Sequence, residues 1–438
     1  LVDPAWLRHF SGAAPFTATV VLREGRGRVV LESSLRGLAS ALPPPFAKEA
    51  AQPLPLRVDL VPAEGGRDRI SVRLGALALA EILRKEEGDS MAVQRAALWL
   101  SPQPGQQARI PESGLLVYGS LPALDADRWM AVLEQDQDRG QSPISKNEIG
   151  DRPQSAGPRS AAVAFDLKLG TLDVSGKRIR ELALRGDANG AGWKASVQAV
   201  ELAGELSYQS AGDGKLVARL SHFTVPENTP GAPAAPEGGG SRELPDVDLV
   251  AERFRVKNLD LGRVEVAAAR EGPNWRIEKV GLSNPDGALT GKGLWRTGPA
   301  SYTALTLDLD SPDAGRLLAR LGYPDVVRGA PTKMQASVAW SGDPVTIDYP
   351  SLSGELQLQS EEGQFLEVDP GIGKLLSIMS LQQLPRRLTL DFRDVFSKGF
   401  QFDRIRSAAH VDKGLMTLKD FEMRGAAADV DMSGQVDL

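Results

Sequence analysis

The chain has 438 residues, of which 42% are hydrophobic and 25% charged, so the composition is that of a folded protein and excludes wholesale disorder. The net charge is −6, with 51 basic and 57 acidic residues mixed along the chain, which argues against a nucleic-acid partner. The absence of cysteine excludes disulfides, thiolate metal sites and thiol nucleophiles. The 45 glycines and 30 prolines favour many strands with frequent turns over long helices.

Apolar and polar residues alternate with a period of two along much of the chain, and this pattern predicts strands with one apolar face. Such one-sided strands are typical of antiparallel sheets. Pairs such as Asn189-Gly190, Asp286-Gly287 and Lys413-Gly414 are typical of the tight turns between them. The residues predicted to share apolar faces are Val163, Phe165, Leu167, Leu169, Leu202, Leu206, Phe254, Val256, Leu305, Leu307, Leu309, Val338, Trp340, Leu356, Leu358, Leu388, Leu390, Phe392, Phe400, Phe402, Val430, Met432 and Val436.

Few helices are predicted. Ser311 and Pro312 are typical of an N-cap and a first helical residue, so a helix is expected over 311–322, and Asp369-Pro370 predicts another over 370–381. A third candidate begins at Asp125. Each helix lies between predicted strands, as short crossovers do.

The predicted organisation is one of strand-rich segments separated by linkers. Residues 134–160 are polar, and 226–245 are rich in proline and glycine, so neither stretch is expected to bury a core. The strand-rich segments are then 1–133, which also contains short helices, 161–225, and 246–438 with its two crossover helices. A weak repeat, which begins once at Trp193 and again at Trp275, indicates an array.

The sequence contains little material for catalysis. The three histidines, His9, His222 and His410, are far apart and have no carboxylate pattern around them. Alternating acids such as Asp308 and Asp310 fall on the predicted solvent faces, where carboxylates are usually only hydrated. We therefore predict no catalytic residue, no metal site and no cofactor.

The predicted apolar faces must be covered, and the pattern alone leaves two alternatives. Two sheets can bury each other's apolar faces in β-sandwiches, which need no ligand. Otherwise something other than a sheet covers them, because the helices are too few and too short to do so. A one-residue slip in register would also invert the facing of any strand.

Residues Gly371 to Ile405 closely resemble the signature of YhdP-type proteins, which belong to the AsmA-like family that includes TamB. The stretch from Leu35 to Lys48 is similar to that family's pattern of a strand, a Leu-Pro hinge and a helix. So is the passage from Leu244 to Trp295. The resemblance covers most of the chain, apart from the two linkers.

This resemblance implies an elongated, twisted, antiparallel β-sheet groove built from repeats, with a few short crossover helices. Such a groove implies bridge-like transport of phospholipids between the inner and outer membranes of the Gram-negative envelope, with the acyl chains shielded and the apolar residues above lining the groove. The alternative is a structural or adhesive β-sandwich array of the envelope without lipid cargo.

The resemblance further implies a periplasmic protein that is anchored in the inner membrane by a helix. We expect the sequence to be a fragment of a larger protein, because it begins at Leu1 without a targeting segment and ends within the predicted strand from Val430 to Leu438. Contact with the inner and outer membranes is then expected through regions outside this sequence.

Overall fold

The computed structural model describes residues 7–23, 26–63, 65–88, 90–103, 107–132, 162–227, 245–272, 274–298, 300–344, 346–366, 400–426 and 428–438. The chain divides into two compact units. Unit 1 comprises Leu1–Gln209 and Pro226–Ala232, and unit 2 comprises Ser210–Val225 and Pro233–Leu438. The predicted division into segments and linkers stays a prediction.

Unit 1 contains one large sheet and a small two-stranded sheet. Its strands are β1 (Phe10–Gly12), β2 (Phe16–Arg23), β3 (Arg26–Ser33), β4 (Leu38–Ser40), β5 (Leu56–Ala63), β6 (Arg67–Leu74), β7 (Ala78–Glu87), β8 (Ser90–Leu100), β9 (Gly114–Asp125), β10 (Val163–Val174), β11 (Lys177–Asn189), β12 (Gly192–Gln198) and β13 (Leu202–Gln209). β1 pairs with β4. The other strands pair in chain order from β2 to β13.

The described residues of unit 2 form one sheet. Its strands are β14 (Lys215–Thr224), β15 (Asp246–Val256), β16 (Leu259–Glu271), β17 (Asn274–Asn284), β18 (Gly287–Arg296), β19 (Tyr302–Ser311), β20 (Val327–Gly329), β21 (Thr332–Ser341), β22 (Ser353–Phe365), β23 (Phe400–Asp412), β24 (Leu415–Arg424) and β25 (Asp429–Asp437). They pair in chain order, except that β19 pairs with β21, and the short β20 pairs with the end of β22.

The prediction of a mainly β fold is confirmed, and most neighbouring strands are antiparallel as expected. Among the described strands, three pairs are parallel: β8 with β9, β9 with β10, and β14 with β15. Parallel neighbours require a connection long enough to return to the start of the next strand, whereas antiparallel neighbours need only a hairpin. The predicted linkers 134–160 and 226–245 lie in two of these connections, and almost all of their residues lie outside the described ranges.

Two short α-helices are described. The first, α1, covers 126–132 and begins where Asp125 Oδ1 accepts a hydrogen bond from the Arg128 backbone N–H at 2.9 Å. The second, α2, is Ala314–Arg320, which lies within the predicted 311–322. Its N-cap is Asp313 and not Ser311, because Ser311 ends β19 and uses its hydroxyl to bond the Asp286 carbonyl oxygen at 2.6 Å.

Two other expectations for helices have different outcomes. The helix predicted at 370–381 lies outside the described residues. No helix occurs from Leu35 to Lys48, where β4, turns and a bridge between Ser40 and Lys48 are found instead. Three consecutive prolines start at Pro43, and proline both removes a backbone donor and clashes with the preceding turn of a helix.

Candidate functional site

An apolar row crosses every described strand of the large sheet in unit 2 except the short β20. Residues directly opposite each other on neighbouring strands point to the same face, so the register defines this row. From β14 to β25 its members are Ala218, Leu249, Val266, Val280, Gly291, Leu307, Ala336, Leu356, Ala409, Leu418 and Gly434. None carries a polar side chain. We call the side of the sheet that contains this row the apolar face of unit 2.

The rows on either side of this one extend the apolar face. Leu305 lies opposite Gly293 and Val338, and Leu309 lies opposite Leu289 and Met334. On the remaining strands the same rows contain Leu216, Leu220, Val247, Ala251, Val264, Ala268, Ile277, Leu282, Leu358, Val411, Met416, Phe421, Met432 and Val436. On β23 the row of Leu309 contains Ser407, between Leu358 and Phe421. Apart from that position, these rows are apolar from strand to strand.

The opposite face of this sheet is polar. One row contains Lys292, Thr306, Ser337, Glu355, His410, Thr417 and Gln435. Ion pairs join neighbouring strands on this side. Arg219 Nη2 lies 2.8 Å from Asp248 Oδ2, and its hydrogen bond lowers the pKa of Asp248. Arg424 Nη1 lies 2.5 Å from Asp431 Oδ1.

Most large side chains of the apolar face are only partly buried. Leu305, Leu307, Leu309, Met334 and Leu356 all keep an intermediate exposure. Within the described part of unit 2, all strands belong to one sheet, so no second sheet packs on this face. The apolar surface is thus assembled by the fold but not sealed by it.

One end of the apolar face is covered by the crossover between β19 and β21. Ala314 of α2 and Val327 of β20 pack against a buried hydrophobic cluster that contains Ala330, Phe402 and Met423. Phe400, Ile405, Leu358, Phe365, Phe421 and Val430 complete this cluster. The crossover is held by an ion pair, because Asp286 Oδ2 accepts hydrogen bonds from Arg320 Nε at 2.8 Å and Nη2 at 2.6 Å. Arg316 Nε also lies 3.2 Å from Asp286 Oδ1.

The other end of the apolar face has a row of tryptophans. Trp275 on β17 lies opposite Trp295 on β18, with ring centroids 5.8 Å apart in an edge-to-face arrangement. Trp295 in turn lies opposite Thr303, which lies opposite Trp340 on β21. Thr303 is fully buried and donates its hydroxyl to the Gly342 carbonyl oxygen at 2.9 Å. We call Trp275, Trp295 and Trp340 the tryptophan row.

Unit 1 has an apolar face built in the same way. One row crosses every strand of its large sheet, from β2 to β13: Val20, Val29, Leu60, Ile70, Ile82, Ala96, Leu115, Val163, Ala188, Trp193 and Tyr208. On the outermost strand, β2, the side chains of Phe16, Val20 and Leu22 are 65%, 61% and 75% exposed. The apolar face of unit 1 therefore reaches that strand without being covered there.

The opposite face of unit 1 is polar over most strands but includes one apolar cluster. On the polar strands, burial raises the pKa of Asp166, but the hydrogen bonds from Arg109 and Arg185 outweigh burial, so the pKa of Asp166 lies below its ordinary value.

The apolar cluster on this face consists of Leu79, Ala97, Trp99 and Tyr118, with the two aromatic rings stacked at 5.5 Å. Alternation alone did not reveal this cluster, because β8 is nearly continuously apolar from Ala96 to Leu100.

The predicted face residues fall into three groups in the structure. Val163, Phe165, Leu167, Leu169, Leu202 and Leu206 lie on the apolar face of unit 1. Phe254, Val256, Leu305, Leu307, Leu309, Val338, Trp340, Leu356, Leu358, Val430, Met432 and Val436 lie on that of unit 2, and Phe400 and Phe402 belong to its covered cluster. Leu388, Leu390 and Phe392 lie outside the described residues.

Several face residues were missed from the sequence. Phe421 and Met423 follow a register shift after Leu418, which changes the alternation within β24. A β-bulge of this kind adds a residue to one strand, so a strict period of two fails across it. Ile277 precedes a similar shift on β17.

The described residues show no other kind of site. In these ranges, no three His, Asp or Glu side chains come close enough together to hold a metal ion. No helix within the same ranges has both the length and the apolarity needed to cross a membrane.

The comparisons with known proteins agree with one another. The chain is 23% identical over 424 residues to the intermembrane phospholipid transporter YhdP of Escherichia coli (strain K12), an alignment that covers 94% of this chain and 32% of that protein. The chain thus spans about a third of the length of this relative. No solved structure matches the chain. The YhdP protein family matches over residues 1–438, and the chain therefore belongs to the YhdP protein family.

Proposed function

We propose that this chain is part of a protein that moves phospholipids between membranes, with the acyl chains lying on the apolar faces of the two units. The observation that carries the proposal is the apolar row, which crosses every described strand of the large sheet in unit 2 except the short β20 and contains no polar side chain. The family relative of known function is named as an intermembrane phospholipid transporter. A transport function also requires no catalytic group.

The physical basis is the burial of hydrocarbon. Each acyl methylene removed from water contributes about 0.8 kcal/mol, so a chain that lies against partly exposed leucines and valines is strongly favoured over one in water. The rows repeat the same kind of contact from strand to strand. Acyl chains that move from strand to strand across the sheet exchange equivalent contacts along the middle row, which contains no polar side chain.

The side chains proposed to contact acyl chains are those predicted from the sequence to share the apolar faces, apart from Phe400 and Phe402, which are buried in the covered cluster. Leu305, Leu307 and Leu356 are the most direct candidates, because they lie in the middle rows of unit 2 and remain partly exposed. Leu388, Leu390 and Phe392 remain part of the proposal on their alternation alone.

The proposed place of action is the periplasm, with both membranes as partners. Anchoring in the inner membrane and contact with the outer membrane would come from parts of the protein outside this sequence. The alternative of an adhesive β-sandwich array has no support in either unit, because the described strands of each large sheet do not pair into two opposed sheets.

The first test is native mass spectrometry of the chain purified from a Gram-negative host. The expected result is a series of masses offset by whole phospholipids, which disappears after extraction with detergent and returns when phosphatidylethanolamine vesicles are added. Purified chain that carries no lipid and takes up none from vesicles would contradict the proposal.

The second test locates the lipid on one face. A photo-cross-linking amino acid at Leu356 should capture phospholipid, because Leu356 lies in the apolar row between Ala336 and Ala409. The matched control is its neighbour Gln357, which points to the opposite, polar face between Gln335 and Ala408. Equal labelling at both positions would refute the assignment of the faces.

A further inference from the structure

We propose, on the basis of the function above, that the tryptophan row holds the boundary between the acyl chains and the head group of a bound phospholipid. The acyl chains then run along the strands of unit 2 toward the end covered by α2 and β20. The ligand class is a glycerophospholipid with its phosphate at the tryptophan end. Three features of unit 2 carry this orientation.

The first feature is the orientation of the indoles. Trp295 Nε1 donates to Ser301 Oγ at 3.1 Å, and Trp340 Nε1 donates to the Asp343 carbonyl oxygen at 3.0 Å. Ser301 and Asp343 lie in the loops that follow the ends of β18 and β21, so the polar edge of each ring is turned toward the loops. Both residues lie on the apolar face, where Trp295 is partly exposed and Trp340 is buried. Tryptophan takes this orientation where hydrocarbon meets water and head groups.

The second feature is the contrast with the opposite end of the same strands. The side chains of Ser311, Thr332 and Ser360 are buried there and already bonded within the protein. Thr332 Oγ1 contacts both the Ala330 carbonyl oxygen at 2.8 Å and Ser360 Oγ at 2.9 Å. The Ser311 hydroxyl donates to the Asp286 carbonyl oxygen. The buried hydrophobic cluster around Met423 closes this end, so this end suits the methyl ends of acyl chains and not a charged head group.

The third feature is the distance between the two ends. Met334 and Trp340 lie on the same face of β21, and six residues of strand span about 20 Å. One leaflet of a bilayer has a hydrocarbon thickness of about 15 Å, which is half of the full core. The face is therefore long enough to hold one acyl chain from the glycerol to its methyl end.

The surroundings of the tryptophan row also fit a phosphate. Arg270 on β16 lies directly opposite Trp275, so a guanidinium group occurs at the same end of the face, with its Nε donating to the Gly272 carbonyl oxygen at 3.2 Å. An aromatic pair recurs in unit 1, where Trp193 and Tyr208 lie opposite each other on the apolar face and stack at 6.3 Å. Both pairs lie near strand ends, where the weak sequence repeat begins at Trp193 and Trp275.

The test is fluorescence quenching by brominated phospholipids. The whole chain is prepared with Trp295 as its single tryptophan, after the other six are changed to phenylalanine, and is loaded with phosphatidylcholine brominated near either the carboxyl end or the methyl end of its chains. Trp295 should be quenched more strongly by the first lipid. The matched control replaces Trp295 with phenylalanine as well and carries Met334→Trp, which should show the reverse order.

The outcomes separate this inference from the proposed function. If the same brominated lipid quenches more strongly at both position 295 and position 334, the orientation is overturned while lipid binding stands. The same holds if the lipid brominated near the methyl end quenches Trp295 more strongly and the lipid brominated near the carboxyl end quenches position 334 more strongly. No quenching at either position by either lipid would overturn the proposed function and the orientation together. A variant with Trp340 as its single tryptophan provides a second reading if the Trp295 protein folds poorly, and it should give the same order as Trp295.

Discussion

A single charge on the apolar face should interrupt lipid binding while the fold survives. Leu307→Asp places a carboxylate in the middle row of unit 2, between Gly291 and Ala336. Leu307 is only partly buried, so its replacement should lower the free energy of unfolding by about 1 to 2 kcal/mol, less than the loss of a fully buried leucine. In the absence of lipid the carboxylate stays hydrated, so the variant should still fold.

The effect on lipid should be larger. A hydrated carboxylate that keeps about three methylenes away from the face forfeits about 0.8 kcal/mol for each, or about 2.4 kcal/mol in all. That loss corresponds to about 50-fold weaker binding at this position. Binding is measured by titration with a fluorescent phospholipid, and folding by circular dichroism and urea unfolding.

The matched control is Thr306→Asp, which places the same charge on the opposite face between Lys292 and Ser337. It should leave lipid affinity unchanged. Equal losses of affinity in the two variants, or no loss in Leu307→Asp when folding is intact, would refute the assignment of lipid to this face.

Three further predictions concern the framework that positions the faces. Gly119→Ala should lower the free energy of unfolding by at least about 2 kcal/mol in urea titrations, because the φ of Gly119 is +125° and an added Cβ would lie 2.1 Å from a backbone oxygen. The control is Gly434→Ala, which has open space around it and should change the free energy of unfolding by no more than about 0.5 kcal/mol. Asp286→Ala should speed hydrogen exchange in α2 and cost about 1 to 2 kcal/mol, because its two arginine partners are themselves partly exposed, and unchanged exchange would contradict the role given to this ion pair. The hydrogen bond from Arg219 lowers the pKa of Asp248, so its stabilisation is complete above the ordinary aspartate pKa of about 4 and is lost as the pH falls through the lower folded value. In Arg219→Gln, the free energy of unfolding should therefore decrease less steeply as the pH falls below about 4. A pH dependence equal to that of the unchanged protein would contradict the role given to Arg219.

Much of the fold and of the candidate site could be predicted from the sequence because strand geometry is local. Side chains alternate between faces with a period of two, so Leu305, Leu307 and Leu309 had to share a face wherever the strand paired. Turn residues located the hairpins in the same way, as at Asp286. The prediction failed where an irregularity of one strand changes the alternation, as it does between Leu418 and Phe421.

Other features depend on groups that are distant in the sequence. The alternation could not tell which strands are neighbours, and the parallel pairs around β9 follow from connections and not from strand composition. The N-cap of α2 moved from Ser311 to Asp313 because the Ser311 hydroxyl bonds a carbonyl oxygen in the turn between β17 and β18. Such a partner cannot be read from the residues next to Ser311.

The sequence by itself determined that the strands are amphipathic, since that property needs only the order of neighbouring residues. Tertiary structure alone decided that these faces join into apolar rows across a whole sheet, that α2 and β20 cover one end, and that three tryptophans meet at the other. Hydrogen bonds between strands set the register, and the register determines which side chains become neighbours.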